Sequence, residues 1–364
     1  MAHQHRNTLS IDLRALKENF HKLEKLSSPS QVMPVLKANA YGLGAKEIAA
    51  ELKESGAKII AVADLNEALD LRDLDIDILI LGDIIPEEIP LAIRNNFILP
   101  IGSLESAQLI SEHAGERRVF CHLVIDSGMG RLGIPATQAL DEFAEIAKLE
   151  KLNFDGVYTH FPVAYSDREF SLQQIEVFKD FLNQCPHTFK RIHIANSDGI
   201  HNIPEACQAP FNLVRTGLNL YGCFDLEGVQ RVQLDPILTL ESRLVRVREL
   251  NAGMSIGYGR ECLLEKKTLV GTVALGYADG FPFNKEAYVL YQGHKCPVIG
   301  RISMDYITID LSQCPDAKSG DAVLCLGDAI PVSKWAEWKG TITYEIICSL
   351  GQRIKRIYKK QEKP

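Results

Sequence analysis

The feature that most constrains this chain is an alternation running through its first 221 residues, in which short apolar runs trade places with stretches of helical spacing. Eight strands are predicted, over residues 32–37, 58–64, 76–82, 97–101, 119–126, 154–160, 191–196 and 213–221. Helical stretches such as 45–54, 105–113, 138–151 and 173–182 lie between them. An earlier helix opens at Ser10-Ile11-Asp12, with Leu13, Leu16, Phe20 and Leu23 forming an apolar stripe. Short apolar strands separated by helices make βαβ units that pair in a parallel sheet, and eight such units predict a closed (β/α)8 TIM barrel. A doubly wound open sheet is the alternative at this level.

Near Gln233-Leu234-Asp235-Pro236 the texture changes. Valine, threonine and alternating patterns follow, over 238–249, 268–274, 288–292, 296–302, 307–311 and 322–326, punctuated by Asn251-Ala252-Gly253 and Gln292-Gly293-His294. This predicts a mainly antiparallel β-domain with little helix before Tyr344. The expected division is a barrel over residues 9–232 and a C-terminal β-domain over 233–364. A net charge of -7 argues against a nucleic-acid partner or a basic membrane face. No run of 18 apolar residues suggests a membrane span, and the nine cysteines are scattered without a CxxC pair. A soluble, cytoplasmic protein with reduced cysteines is expected.

Barrel enzymes place reacting groups at the C-terminal ends of their strands. Here the first strand ends in Lys37, followed by Tyr41 and a turn with two glycines. A lysine at the end of a buried strand loses its proton readily and can form a Schiff base with an aldehyde. After the fifth strand comes Asp126-Ser127-Gly128-Met129-Gly130-Arg131-Leu132-Gly133, a glycine-rich loop presenting one arginine. Tyr158-Thr159-His160 ends the sixth, Asn196-Ser197 the seventh, and Val214-Arg215-Thr216-Gly217-Leu218 surrounds the eighth. Each has a bland account: a tight turn, a satisfied core histidine, a surface ion pair. Jointly they describe a concave site with one amine, two guanidiniums, an imidazole and several hydroxyl or amide donors, which suits an aldehyde cofactor bearing a phosphate. Ser197, Tyr41 and the amides of Gly217 and Leu218 would hold the phosphate. His160, His193 and His201 lack the spacing of a metal site, so no metal is expected.

These residues resemble the alanine racemase family of pyridoxal-phosphate (PLP) enzymes. The resemblance rests on VLKANAYGLG, HLVIDSGMGRLG, GVYTHF, ANSDG, VRTGLNLYG, TLESRLVRVRE, IGYGR, ALGYADG and VIGRISMDYITIDLS, in family order over about 300 residues. It implies interconversion of L- and D-alanine by two bases, supplying D-alanine for peptidoglycan, in a head-to-tail homodimer with shared active sites. Residues 1–8 would then pack on the β-domain. By matching position, Lys37 would carry the cofactor and act as one base, while Tyr258 of the partner subunit would be the other. Arg215 would face the pyridine nitrogen, with His160 beside the ring, Asn196 near it, and Tyr41, Ser197, Gly217 and Leu218 around the phosphate. Arg131 and Met304 match substrate-carboxylate contacts, and Tyr277 matches an entry-channel tyrosine.

Three departures stand out. Val124 replaces a lysine, often carbamylated in relatives, so a bound chloride or a nearby acid is expected to pair with Arg131. Gln352 replaces a phosphate-contacting tyrosine, and Phe283 replaces an arginine at the channel mouth. The last two motivate an alternative, a racemase of broader or serine-type specificity. A non-catalytic PLP carrier of the same barrel type is disfavoured by the β-domain and Tyr258.

Overall fold

The protein is described here by a computed structural model covering residues 5–225 and 228–360. Strand Gln31–Pro34 pairs in parallel with Leu213–Thr216, and the ladder continues through Arg191–His193, Leu152–Tyr158, Val119–Asp126 and Leu99–Ile101. Ile59–Val62 and Asp77–Ile80 form a further parallel pair. Single bridges, Val35 to Ala61 and Leu79 to Ile98, join that pair to its two neighbours. The eight strands therefore close into a ring. Closure, which the strand pattern leaves open between a barrel and an open sheet, is what brings the eight strand ends to one mouth.

Side-chain alternation then divides each strand between two environments. Met33, Val35, Ile59, Ala61, Leu79 and Ile98 form a small apolar cluster with Leu213. Their neighbours Val32, Ile60, Val62, Ile78 and Val214 join the large core that includes helix residues such as Leu16, Phe20 and Ile48. Arg215 shares the parity of Leu213, so it stays with the first set and is buried.

The first helix runs Leu13–Ser27, later than the sequence reading places it. Ser10, Ile11 and Asp12 instead finish a strand, Thr8–Asp12, and the Asp12 carboxylate caps the helix by accepting from the Arg14 and Ala15 amides at 2.9 and 3.0 Å. Such a cap is worth about 1 kcal/mol. Leu13, Leu16, Phe20 and Leu23 are all buried, each contributing roughly 1.5–3 kcal/mol. Thr8–Asp12 lies in the second sheet, antiparallel to Leu238–Leu250 and parallel to Lys355–Lys359. Asn7 continues this attachment by accepting a bond from the Ser242 hydroxyl at 2.7 Å. Residues 1–4, which the resemblance would also pack on the β-domain, lie outside the described residues.

The second sheet has the order His294–Pro297, Tyr288–Tyr291, Ala322–Leu326, Leu238–Leu250, Thr8–Asp12, Lys355–Lys359. Thr268–Val273 pairs with both Leu238–Leu250 and Ile307–Asp310. One helix here escaped the sequence reading. Val332–Lys339 is an α-helix ending at Gly340, whose φ of 70° is the left-handed stop that glycine adopts without penalty. Its Trp335 is fully buried and donates its indole N–H to the Cys325 carbonyl at 3.0 Å. Eight residues span about two turns, too few for apolar spacing to repeat visibly. Among the described residues, no helix is long and apolar enough to cross a membrane.

Candidate active site

The C-terminal ends of the barrel strands enclose a cavity of about 360 Å³. Lys37, Tyr41, Arg131, His160, Asn196, Ser197, Arg215 and Gly217 all line it. Leu218 sits just behind, buried at the start of the turn Leu218–Tyr221.

Lys37 is presented by an unusual piece of backbone. Ala38, Asn39, Ala40 and Tyr41 have φ of 53°, 54°, 52° and 59°, one turn of left-handed helix without a glycine. L-residues pay roughly 1–2 kcal/mol each for this conformation, so it persists only where surroundings enforce it. The enforcing contacts are visible. Glu67 accepts from the amides of Ala38 and Ala63, at 2.5 and 2.8 Å, clamping the turn to the second strand's end. The Asn39 side chain accepts from the Ala45 amide at 2.8 Å, and Ala40 and Tyr41 are buried. Burial, and then the Arg131 cation, lowers the Lys37 pKa below its ordinary value. That favours a neutral, nucleophilic amine.

Arg215 is wholly enclosed and held by both terminal nitrogens. Nη1 donates to His193 Nδ1 at 2.5 Å; Nη2 donates to the Thr159 carbonyl at 2.7 Å and to His160 Nδ1 at 3.0 Å. Tyr158, stacked on His193, also lies 5.1 Å beneath the guanidinium. Burial lowers the Arg215 pKa to about 10, so it remains a cation near neutrality. Among the described residues Nε–H is left as its unpartnered donor.

This arginine dictates a relay of tautomers. Since it can only donate, His193 must accept at Nδ1 and carry its proton on Nε2. That atom lies 3.0 Å from His122 Nδ1 and donates to it, so His122 keeps its own proton on Nε2. His122 Nε2 is buried without a partner among the described residues. Burial, aided by the nearby arginines, pushes His122 and His160 down to about 3 and His193 well below 6.5. An unfolded histidine takes up a proton near 6.5 and the folded His122 only near 3, so between these values the unfolded chain binds more protons. The associated stability is complete above about pH 6.5 and is lost as pH falls, at about 1.4 kcal/mol per pH unit for each such group. His122→Gln is expected to flatten the pH dependence of unfolding between about pH 6 and 4 by that amount. Urea titrations at fixed protein concentration measure this; a slope equal to wild type refutes the neutral relay.

At the opposite end the donors are neutral. Ser197 Oγ accepts from the Gly217 amide at 3.2 Å and lies 3.3 Å from the Thr216 hydroxyl. A Cβ on Gly217 would lie 2.2 Å from the Tyr41 hydroxyl, so only glycine lets that hydroxyl approach the backbone here. Burial raises the Tyr41 pKa and keeps the phenol protonated. The Asn196 side chain is committed to capping, accepting from the Gly199 amide at 2.9 Å. A hydroxyl and amide cradle at one end, a buried cation at the other and an amine between suit a flat ring with an anionic arm.

In the glycine-rich loop, one Asp126 oxygen accepts from the amides of Gly128, Met129 and Gly130 at 2.9, 2.8 and 3.1 Å. A Cβ on Gly133 (φ +99°) would lie 2.9 Å from Val124 Cγ1, so the loop folds directly over the valine. The tight turn is how Arg131 reaches the cavity. Among the described residues no acid forms an ion pair with Arg131.

Three predicted site residues lie elsewhere on the chain. Tyr258 is 71 % exposed, Met304 53 % and Tyr277 47 %. Tyr258 and Tyr277 line a second cavity together with Phe283, whose ring lies under Arg301 at 5.6 Å. Gln352 is exposed and does not line the first cavity. Sequence reasoning overlooked Glu67, the His122–His193 pair and Tyr344. A signal existed only for the histidines, which recur on strands beside the apolar alternation.

Known proteins are similar to this chain over its whole length. A family model described as "Alanine racemase, N-terminal domain" matches residues 11–225, and "Alanine racemase, C-terminal domain" matches 237–358. The alanine racemase of Desulforamulus reducens is 36 % identical over 363 residues, covering 96 % of this chain and 97 % of its own. That of Methanococcus maripaludis is 36 % identical over 366 residues, covering 96 % and 97 %. Among solved structures, the Clostridium difficile 630 alanine racemase superposes with a TM-score of 0.92 at 32 % identity, covering 97 % of this chain and 96 % of its own. The Bartonella henselae alanine racemase, solved "with covalently bound pyridoxal phosphate", gives 0.88 at 29 %, covering 98 % and 100 %. With both family models matched in order and similarity over the full length, this chain belongs to the alanine racemase family.

Proposed function

We propose that the protein is a PLP-dependent alanine racemase, interconverting L- and D-alanine. The observation that carries this reading is the pairing, in one cavity, of a lysine of lowered basicity with a wholly buried arginine. PLP fits the cavity: Tyr41, Ser197, Gly217 and Leu218 would hold its phosphate, Arg215 would face its ring nitrogen, and His160 would lie beside the ring. When bound, it supplies the electron-accepting ring that acidifies the Cα–H of an attached amino acid.

The chain's own residues do the rest. Lys37 would hold the cofactor and would take or return the Cα proton on one face. The partner subunit's Tyr258 would take or return that proton on the other, since inversion needs a base on each side. Arg215, charged at neutral pH, offers a hydrogen bond without giving up its proton, which limits electron withdrawal and so disfavours transamination. Arg131 and Met304 orient the substrate carboxylate, and Tyr277 lines the approach. The exposed aromatic surface around Tyr258 supports a homodimer with shared sites, in which residues 9–232 bind the cofactor and 233–364 reach across to the partner. Supply of D-alanine for peptidoglycan, in the cytoplasm, is the accompanying role.

The test is chiral analysis of holoenzyme incubated with L-alanine, L-serine or L-lysine. Rapid formation of D-alanine, with slower turnover of the others, is expected. Faster turnover of serine would favour the serine-type reading, for which Phe283, 57 % exposed beside Tyr277, is the structural motive.

A further inference from the structure

Arg353 lies just beyond the short helix Thr343–Cys348, and its guanidinium reaches two further segments of the C-terminal half. Nε and Nη2 donate to the two Asp279 oxygens at 2.6 and 2.9 Å, a bidentate fork. Nη1 donates to Asp305 at 2.7 Å, and Nη2 also approaches the Met304 carbonyl oxygen at 3.4 Å. Asp279 is fully buried and accepts a further bond, from the Gly276 amide at 3.0 Å. A carboxylate so enclosed needs a fixed cation, and the planar fork of arginine meets it in a set orientation.

These bonds converge on residues assigned to the substrate. The Ser303 amide and hydroxyl both donate to the Tyr306 carbonyl, at 3.0 and 2.8 Å, closing a turn with Met304 and Asp305 at its tip. Arg353 thus holds both tip residues. The Ala278 amide donates to the same Met304 carbonyl at 3.1 Å, and the Tyr277 amide to the Ser303 carbonyl at 3.1 Å. A Cβ on Gly276 would lie 2.3 Å from the Met304 carbonyl oxygen, so the two segments pack without spare room. Tyr277 and the turn are therefore fixed to one another, with Arg353 as the clasp. Among the described residues the Met304 N–H donates to no protein group, and it stands ready to meet an anion.

We propose that Arg353 is a positioning residue for substrate binding that acts in the partner subunit's active site. It fixes Tyr277 and the turn Ser303–Tyr306 so that the Met304 N–H meets the substrate carboxylate there. This rests on the shared-site reading above. Lysine in its place would keep the charge near Asp279. It could not bridge Asp279, Asp305 and the Met304 carbonyl at once, because its three protons sit on a single nitrogen. A carboxylate contact is made alike by bound substrate and by the reacting species, so loosening it weakens binding more than turnover.

Arg353→Lys holoenzyme is expected to show KM for L- and D-alanine raised about tenfold, with kcat within about twofold and PLP affinity unchanged. The decisive readout is which chain carries the change. A heterodimer of Lys37→Ala and Tyr258→Phe chains has one complete site, built from the Lys37 of the second and the Tyr258 of the first. Arg353→Lys added to the Lys37→Ala chain should raise KM about tenfold, and added to the Tyr258→Phe chain should leave it unchanged. Asp305→Asn keeps the buried Asp279 pair, so it tests the proposal even if Arg353→Lys does not fold. It should raise KM about threefold, in the same placement only. Unchanged KM, an equal change in both placements, or a rise confined to the Tyr258→Phe chain overturns the proposal. A control heterodimer without activity overturns the shared-site reading itself, and this proposal with it.

Discussion

Lys37→Ala is expected to reduce racemisation by 10⁴-fold or more, on the order of the largest losses seen when a catalytic acid or base is removed. The reason is twofold, since one side chain is assigned both the covalent hold on the cofactor and a proton transfer. The visible absorption of purified holoenzyme should disappear together with the activity. Circular dichroism should not change, because the left-handed turn is held by Glu67 and Asn39 rather than by the lysine amine. Retention of the visible band in Lys37→Ala would mean that another amine holds the cofactor. The assignment of Lys37 would then fail even if activity fell.

The second large effect concerns where Tyr258 acts. On one chain it is 71 % exposed and lines a different cavity from Lys37. Lys37→Ala and Tyr258→Phe homodimers should each be nearly inactive. A heterodimer of the two, purified through two affinity tags, is expected to show about half the wild-type rate, because in a two-fold dimer one of its two sites combines the intact Lys37 with the intact Tyr258. If each site were built within one chain, the heterodimer would contain no complete site and would stay inactive. The experiment therefore reads subunit sharing directly, without depending on how much either variant loses.

The sequence makes some of this architecture legible because the signals are local. Apolar runs spaced by helices reveal βα units wherever they occur, and a lysine ending the first run is visible without knowing what it meets. The glycine-rich loop after residue 126 is similarly plain, since four glycine and arginine positions within a few residues imply a tight turn. Short elements are less legible. Val332–Lys339 passes unnoticed because about two turns of helix scarcely establish a period. Thr8–Asp12 passes as a helix start because Asp12 does cap the following helix; its pairing with Leu238–Leu250 and Lys355–Lys359 depends on residues more than 200 positions away.

What the sequence by itself determined was therefore the succession of barrel strands, the change to β-structure near residue 233, and the kinds of side chain at each strand end. Local propensity and periodicity suffice for those. Only the tertiary structure decided how these groups act. Residues 38–41 take a left-handed turn against the preference of alanine, asparagine and tyrosine, because Glu67 and the packed core outweigh a local cost of a few kcal/mol. The tautomers of His193 and His122 follow from a buried arginine that can only donate. Tyr344 reaches the mouth of a barrel whose last strand ended at Thr216. Each of these results from contacts between residues distant in the chain, whose combined energy overrides what any single stretch prefers.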